Sequence, residues 1–233
     1  MEKIYTIPVN EAFEASEADP ACGCPFCTLY RKLEENELDL ILGASMMEPD
    51  VRIKTNRQGF CRLHYGKMLR ASKKLPVALM LESHLDEVAK TVRVGKLFPA
   101  KGSKDSADNV EAMTKDCYVC SRLDASFGKV LDNAVYMWLS DEKFRGLCSK
   151  QKCYCLPHYA AFVKAASRAM KGAEFRTFSS SVRTVEERYL GKVRENVSHF
   201  VKKFDYRYEN EPWGDAKDAV EKAVSLLSGE TPD

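Results

Sequence analysis

Cys24-Pro25-Phe26-Cys27 is the first of four short cysteine motifs in this chain of 233 residues. A CxxH motif follows it at Cys61-Arg62-Leu63-His64. The same two motifs recur in the same order as Cys117-Tyr118-Val119-Cys120 and Cys155-Leu156-Pro157-His158. Between CxxC and CxxH lie 33 residues in the first copy and 34 in the second. This duplicated spacing is typical of metal ligands and predicts metal binding.

Zinc accounts best for the proposed ligands, because it prefers four tetrahedral ligands and Cys3His is a common structural set. We expect two zinc ions per chain, each bound by consecutive motifs. The first expected site is Cys24, Cys27, Cys61 and His64, and the second is Cys117, Cys120, Cys155 and His158. Cys22 and Cys153 each lie two residues before a proposed ligand and are alternatives to it. An iron–sulfur cluster and a dithiol redox role are the rival interpretations of these motifs.

The proposed ligands lie at or just before the starts of predicted helices, where the helix dipole favours thiolates. The metal would therefore clamp two helix N-termini together. Four protein ligands leave no open coordination position, and the chain contains no phosphate-binding loop, GxSxG or HExxH motif. The sequence favours a structural role over catalysis and predicts no catalytic residue.

Composition places the chain among ordinary globular proteins, with 45% hydrophobic and 30% charged residues and a net charge of +2. The nine cysteines include six at metal-like spacing, and an odd number cannot pair completely in disulfides. Residues 1–5 do not begin a signal-peptide pattern, and no apolar run approaches the roughly 18 residues of a membrane span. We expect a cytoplasmic protein without a membrane partner.

Apolar residues recur at helical spacing along most of the chain, and little alternates with the period of a strand. We therefore predict an all-α fold of two tandem helical repeats, each clamped by a Cys3His metal site, followed by a tail and a C-terminal helix. The expected boundaries are 1–98 for the first repeat, 99–112 for a linker, 113–205 for the second repeat and 206–233 for the aromatic tail and last helix. The helix that begins near Pro76 should carry one continuous apolar stripe, covered by the other repeat or by another chain: Ala78, Leu81, Leu85, Val88 and Val92.

Basic residues concentrate in two segments, 51–74 and 143–172, neither of which contains an acidic residue. They either offset the negative charge of the metal sites and pair with acidic helices, or form a nucleic-acid surface. The first interpretation is favoured because the whole chain is only slightly basic. The function expected from the sequence is an interaction or adaptor module with an unknown protein partner. The alternatives are a nucleic-acid-binding regulator and a thiol- or metal-responsive sensor.

Two stretches outside the metal motifs carry a family resemblance. One is Ala44-Ser45-Met46-Met47-Glu48-Pro49-Asp50-Val51-Arg52 with Thr55-Asn56 and Gly59-Phe60-Cys61, and the other is Phe204-Asp205-Tyr206-Arg207 with Glu211-Pro212-Trp213-Gly214 and Lys217-Asp218-Ala219. Over nearly its whole length the chain resembles a bacterial family of unknown function found mainly in Firmicutes-type organisms. The resemblance implies no activity, substrate or partner. The second copy has Lys152-Cys153-Tyr154-Cys155 where the first has Gln58-Gly59-Phe60-Cys61, which leaves the third thiolate of the second site open.

Overall fold

Helices provide all the regular secondary structure in the computed structural model, which describes residues 5–93 and 99–229. This confirms the all-α prediction for the described ranges. None of the helices described there is long and apolar enough to cross a membrane. The α-helices are α1 Thr6–Ala18, α2 Pro25–Ile41, α3 Pro49–Gln58, α4 Arg62–Arg70, α5 Lys74–Arg93, α6 Pro99–Lys115, α7 Tyr118–Ser140, α8 Glu142–Lys150, α9 Leu156–Ala169, α10 Gly172–Lys202 and α11 Ala219–Ser228.

Contacts divide the chain into two compact units that are nested in the sequence. The split unit comprises Met1–Arg31 and Phe127–Asp233, and the inserted unit comprises Lys32–Ser126. These units differ from the sequential repeats expected over 1–98 and 113–205. Residues 99–112, expected to be a linker, are helical within α6, and the boundary expected at residue 98 lies outside the described residues.

Aromatic side chains form the core of the split unit. Phe26, between the two cysteines of the first motif, is fully buried and contacts Phe13 and Phe162 at ring-centroid distances of 5.2 and 4.9 Å. Phe162 in turn packs against Phe178 of α10 at 4.8 Å. Such offset and edge-on aromatic pairs stabilise a core beyond the area they bury. The N-terminal segment is thereby packed onto helices from the far end of the chain.

Polar contacts join α3 and α5 in the inserted unit. Ser83 donates a hydrogen bond to Asn56 Oδ1 at 2.7 Å and accepts one from Arg52 at 2.8 Å. The buried face of α5 runs through Val77 and Met80 to these polar positions, whereas Leu85 and Val92 of the expected stripe are 60% and 59% exposed. The predicted apolar stripe of α5 is therefore partly exposed, and the face that this helix buries continues through polar residues instead.

Local start signals explain two of the short helices, α3 and α8. Pro49 lies in the first turn of α3, where its missing N–H costs nothing, and Asp50 follows it. Asp141 caps α8 by accepting hydrogen bonds from the backbone N–H groups of Lys143 and Phe144. A proline begins one of these helices and a capping side chain begins the other. Both helices are too short for apolar periodicity to predict them.

Gly59 occupies a position that only glycine fits. Its φ of 61° lies in the left-handed region, and a Cβ there would lie 2.6 Å from Nε2 of His84. The Gly59 carbonyl accepts a hydrogen bond from the backbone N–H of Tyr118 at 3.0 Å. This bond joins the segment before Cys61 to the start of α7.

Replacing Gly59 by alanine should lower the free energy of unfolding by about 1–3 kcal/mol, because the new Cβ meets the His84 ring and strains the backbone. Chemical denaturation measures the change. Gly128→Ala is the control: this glycine lies inside α7 with open space around it, so the variant should be more stable by about 0.5–1 kcal/mol. Equal stability of Gly59→Ala and the unmodified protein would contradict the assignment.

Candidate metal centres

The eight predicted ligands come together in two groups of four, but with exchanged partners. Site A consists of Cys24, Cys27, Cys155 and His158, and site B consists of Cys61, His64, Cys117 and Cys120. In each group the ligand atoms all lie within 4.8 Å of one another. The consecutive pairing expected from the sequence is therefore wrong. Every CxxC motif meets the CxxH motif of the other copy.

Site A lies wholly within the split unit and has the dimensions of a tetrahedral centre. The Sγ atoms of Cys27 and Cys155 are 3.6 Å apart. Nδ1 of His158 lies 3.1 Å from Cys155 Sγ, 3.4 Å from Cys27 Sγ and 3.8 Å from Cys24 Sγ. Zinc bonds of about 2.3 Å to sulfur and 2.0 Å to nitrogen imply ligand separations of about 3.5–3.8 Å at a tetrahedral ion. The four side chains therefore fit a zinc ion.

Site B lies wholly within the inserted unit and has the same geometry. Nδ1 of His64 lies 3.2 Å from Cys61 Sγ, 3.3 Å from Cys117 Sγ and 3.4 Å from Cys120 Sγ. The Sγ atoms of Cys61 and Cys120 are 3.9 Å apart. Both sites thus present three sulfurs to one imidazole Nδ1, which is the donor set that suits zinc.

Each site lies at the N-termini of two helices. Cys27 is in the first turn of α2, and Cys155 is the N-cap of α9 with no side-chain capping bond. Likewise Cys61 is the N-cap of α4, and Cys120 lies in the first turn of α7. The positive ends of the helix dipoles and the free backbone N–H groups there stabilise thiolates. A metal ion in either site would tie two helix starts together.

One cysteine in each site has a lowered pKa. Hydrogen bonds from Cys155 and Cys24 hold the pKa of Cys27 well below its ordinary value near 9. Burial alone would raise the pKa of Cys117, but the hydrogen bond with His64 and backbone N–H groups lower it to about 6. Each group therefore contains a thiol that ionises readily, as metal binding requires.

Glu34 and Lys67 support the histidine of site B. His64 Nε2 lies 3.1 Å from Glu34 Oε1, and Lys67 Nζ donates to Glu34 Oε2 at 2.5 Å. Burial opposes ionisation of Glu34, but the contacts with His64 and Lys67 lower its pKa. A carboxylate on the second ring nitrogen fixes the tautomer that leaves Nδ1 free for a metal. The sequence did not lead us to predict that either residue supports His64. The only signal that could have pointed to this role is an acidic residue, Glu34, at a buried position of α2.

Aromatic rings surround the histidine of site A instead. The His158 ring lies 4.9 Å from Phe127, 6.0 Å from Tyr30 and 6.2 Å from Phe26, measured between centroids. These rings fix the imidazole by packing, whereas a carboxylate does so at site B. The two sites share a donor set but differ in how the histidine is held.

The remaining cysteines and histidines lie outside both groups. Cys22 and Cys153 do not replace Cys24 and Cys155, and Cys148 is fully buried in the core of the split unit. His84 Nδ1 lies 2.7 Å from the Asn56 carbonyl oxygen, and His199 Nε2 lies 3.0 Å from that of Pro212. The two histidines are hydrogen-bonded to the backbone.

Several cations of the two basic segments are paired within the protein. Lys67 binds Glu34, Lys73 lies 3.4 Å from Asp39, and Arg168 lies 3.1 Å from Asp132. These pairs support the interpretation that the basic segments balance acidic helices. The nucleic-acid surface stays a prediction.

The chain belongs to a family of unknown function, DUF6062, whose model matches residues 1–233. Neither a curated protein nor a solved structure matches the chain. The family resemblance seen in the sequence is confirmed, and it supplies no activity.

Replacing Glu34 by alanine should weaken zinc binding at site B by about 10–100-fold, the usual effect of losing a partner of a ligating histidine. Competition against a chromogenic chelator measures the two affinities. Site A should keep its affinity, and so should both sites in the control Glu35→Ala, since Glu35 is exposed. An unchanged affinity at both sites in Glu34→Ala would contradict this role.

Proposed function

We propose that this protein is a structural zinc protein that binds two zinc ions per chain and serves as an interaction module for a protein partner. The observation that carries the proposal is the presence of two Cys3His groups, each at the N-termini of two helices. Zinc suits such groups because it takes tetrahedral thiolate and imidazole ligands and needs no redox partner. The separations of 3.1–3.9 Å between ligand atoms support this choice over a larger cluster.

The proposed role of the ions is to hold the fold rather than to catalyse a reaction. Each group supplies four protein ligands, and a catalytic zinc keeps one coordination position for water or substrate. Cys27 and Cys155 of site A are 128 positions apart in the sequence. An ion bound there would connect the two segments of the split unit, which is a structural task.

Exposed apolar side chains on α5 support a role in protein interaction. Leu75, Leu85 and Val92 are each more than half exposed, whereas Val77 and Met80 of the same helix are buried. Exposed apolar surface of this kind commonly marks a protein-binding face. The inserted unit would then present α5 while site B stabilises the unit.

Elemental analysis of the purified protein should give two zinc ions per chain, and chelation should remove much of the helical circular dichroism signal. Restoring zinc should restore the signal, because metal binding and folding are coupled in such sites. The control Cys148→Ala removes a cysteine outside both groups and should retain two ions. Absence of bound metal, or a helical signal unaffected by complete chelation, would overturn the proposal.

A further inference from the structure

A cavity of about 450 Å³ adjoins site A within the split unit. Five of the nine cysteines line it: the three thiols of site A and two that belong to neither site. They are Cys22, Cys24, Cys27, Cys153 and Cys155. Cys22 and Cys153 each lie two positions before a ligand of site A, which brings their thiols to the same cavity. The reactivity of a free cysteine, including its metal binding, usually matters more than its packing.

The cavity gives access to thiols that are otherwise buried. Cys24, Cys27 and Cys155 are 5%, 5% and 2% exposed, yet all three line the cavity wall. By contrast, Cys61 and Cys120 of site B are half-buried. A metal ion can therefore approach the site A sulfurs through this cavity.

The two additional thiols lie at different depths along the approach. Cys22 ends a short 3-10 helix and is partly exposed. Cys153 is buried in an apolar cluster with Tyr189 and Leu226, which also line the cavity. Cys153 and Cys155 both line the cavity, whereas Tyr154 between them is buried in the aromatic core. Successive side chains of an extended segment point to opposite sides in this way. One thiol thus lies towards solvent and the other beside the metal ligands.

Helix α11 forms another part of the wall and carries polar groups. Asp218, Glu221, Lys222 and Ser225 line the cavity, and Lys222 pairs with Asp218 at 2.6 Å. Gly229, just after α11, is so close to site A that a Cβ there would lie 3.7 Å from Cys155 Sγ. Lys152 also lines the cavity, so the charged side chains of the wall balance. The five thiols therefore favour a thiophilic metal cation as the incoming species.

We propose that this cavity is the transfer route for the metal ion of site A, with Cys22 and Cys153 as transient thiolate ligands. The ligand is a soft divalent cation of the zinc type, since thiolates select such metals. Each transient thiol loses its proton to solvent when it binds the ion and regains one when the ion moves on, so no oxidation or reduction occurs. The inference rests on the proposed zinc binding.

The test is stopped-flow measurement of zinc transfer from the loaded protein to a chromogenic chelator, in which two sites give two phases. Cys22→Ala and Cys153→Ala should each slow one phase by about tenfold, the lower end of the effect of residues around a metal site. Ser225→Trp keeps both thiols but fills the exposed side of the cavity, and it should slow the same phase. The other phase, from site B, should not change.

Two controls separate the transfer route from general loss of structure. Cys148→Ala removes a cysteine that does not line the cavity, and Ser228→Trp adds the same ring to α11 at an exposed position outside the lining. Both should leave the two phases unchanged. The number of zinc ions bound per chain is first measured for every variant.

The outcomes distinguish this inference from the proposed function. If the unmodified protein binds no zinc, the proposed function fails. If it binds two ions and both phases keep their rates in all three cavity variants, the transfer route alone is overturned. If Cys22→Ala or Cys153→Ala binds only one ion, that cysteine is a permanent ligand, and its transient role is overturned.

Discussion

The structure depends on the meeting of Cys24 and Cys27 with Cys155 and His158 in one group of four ligands. These residues belong to the two ends of the split unit, and 128 positions separate Cys27 from Cys155. A structural zinc ion contributes an apparent binding free energy of about 10–16 kcal/mol in small zinc domains. Closing a loop of this length rather than one of 33 residues costs only about 1 kcal/mol more. A metal ion bound at site A would therefore overcome the separation easily.

The same magnitudes explain why proximity along the chain does not select the partners. Consecutive pairing would close two shorter loops and would be favoured by only about 1.5 kcal/mol in total. Burial of a single phenylalanine contributes about 1.5–3 kcal/mol, and Phe26 lies fully buried between the cysteines of the first motif. Its contacts with Phe162 and with Phe13 place α2 beside α9. Packing of the aromatic core thus outweighs loop closure and selects the exchanged pairs.

The predictable parts of the molecule are those encoded locally. The helices α2, α5, α7, α9 and α10 follow from apolar periodicity, and the eight members of the two groups follow from motif spacing. The pairing does not follow, because CxxC and CxxH are chemically equivalent in both copies. Likewise α5 buries Val77 and Met80 and half-buries the polar Ser83, whereas Leu85 of the more regular apolar stripe is exposed. Partners across the fold decide such features, and a single sequence does not display them.

The nested pairing is tested most directly by counting zinc ions in two double variants with native mass spectrometry. Cys27→Ala with Cys155→Ala removes two ligands from site A, so one zinc ion should remain bound at site B. Cys27→Ala with Cys61→Ala removes one ligand from each site, so no zinc should remain tightly bound. The reverse result, with one ion kept by the Cys27 and Cys61 pair and none by the Cys27 and Cys155 pair, would contradict the account.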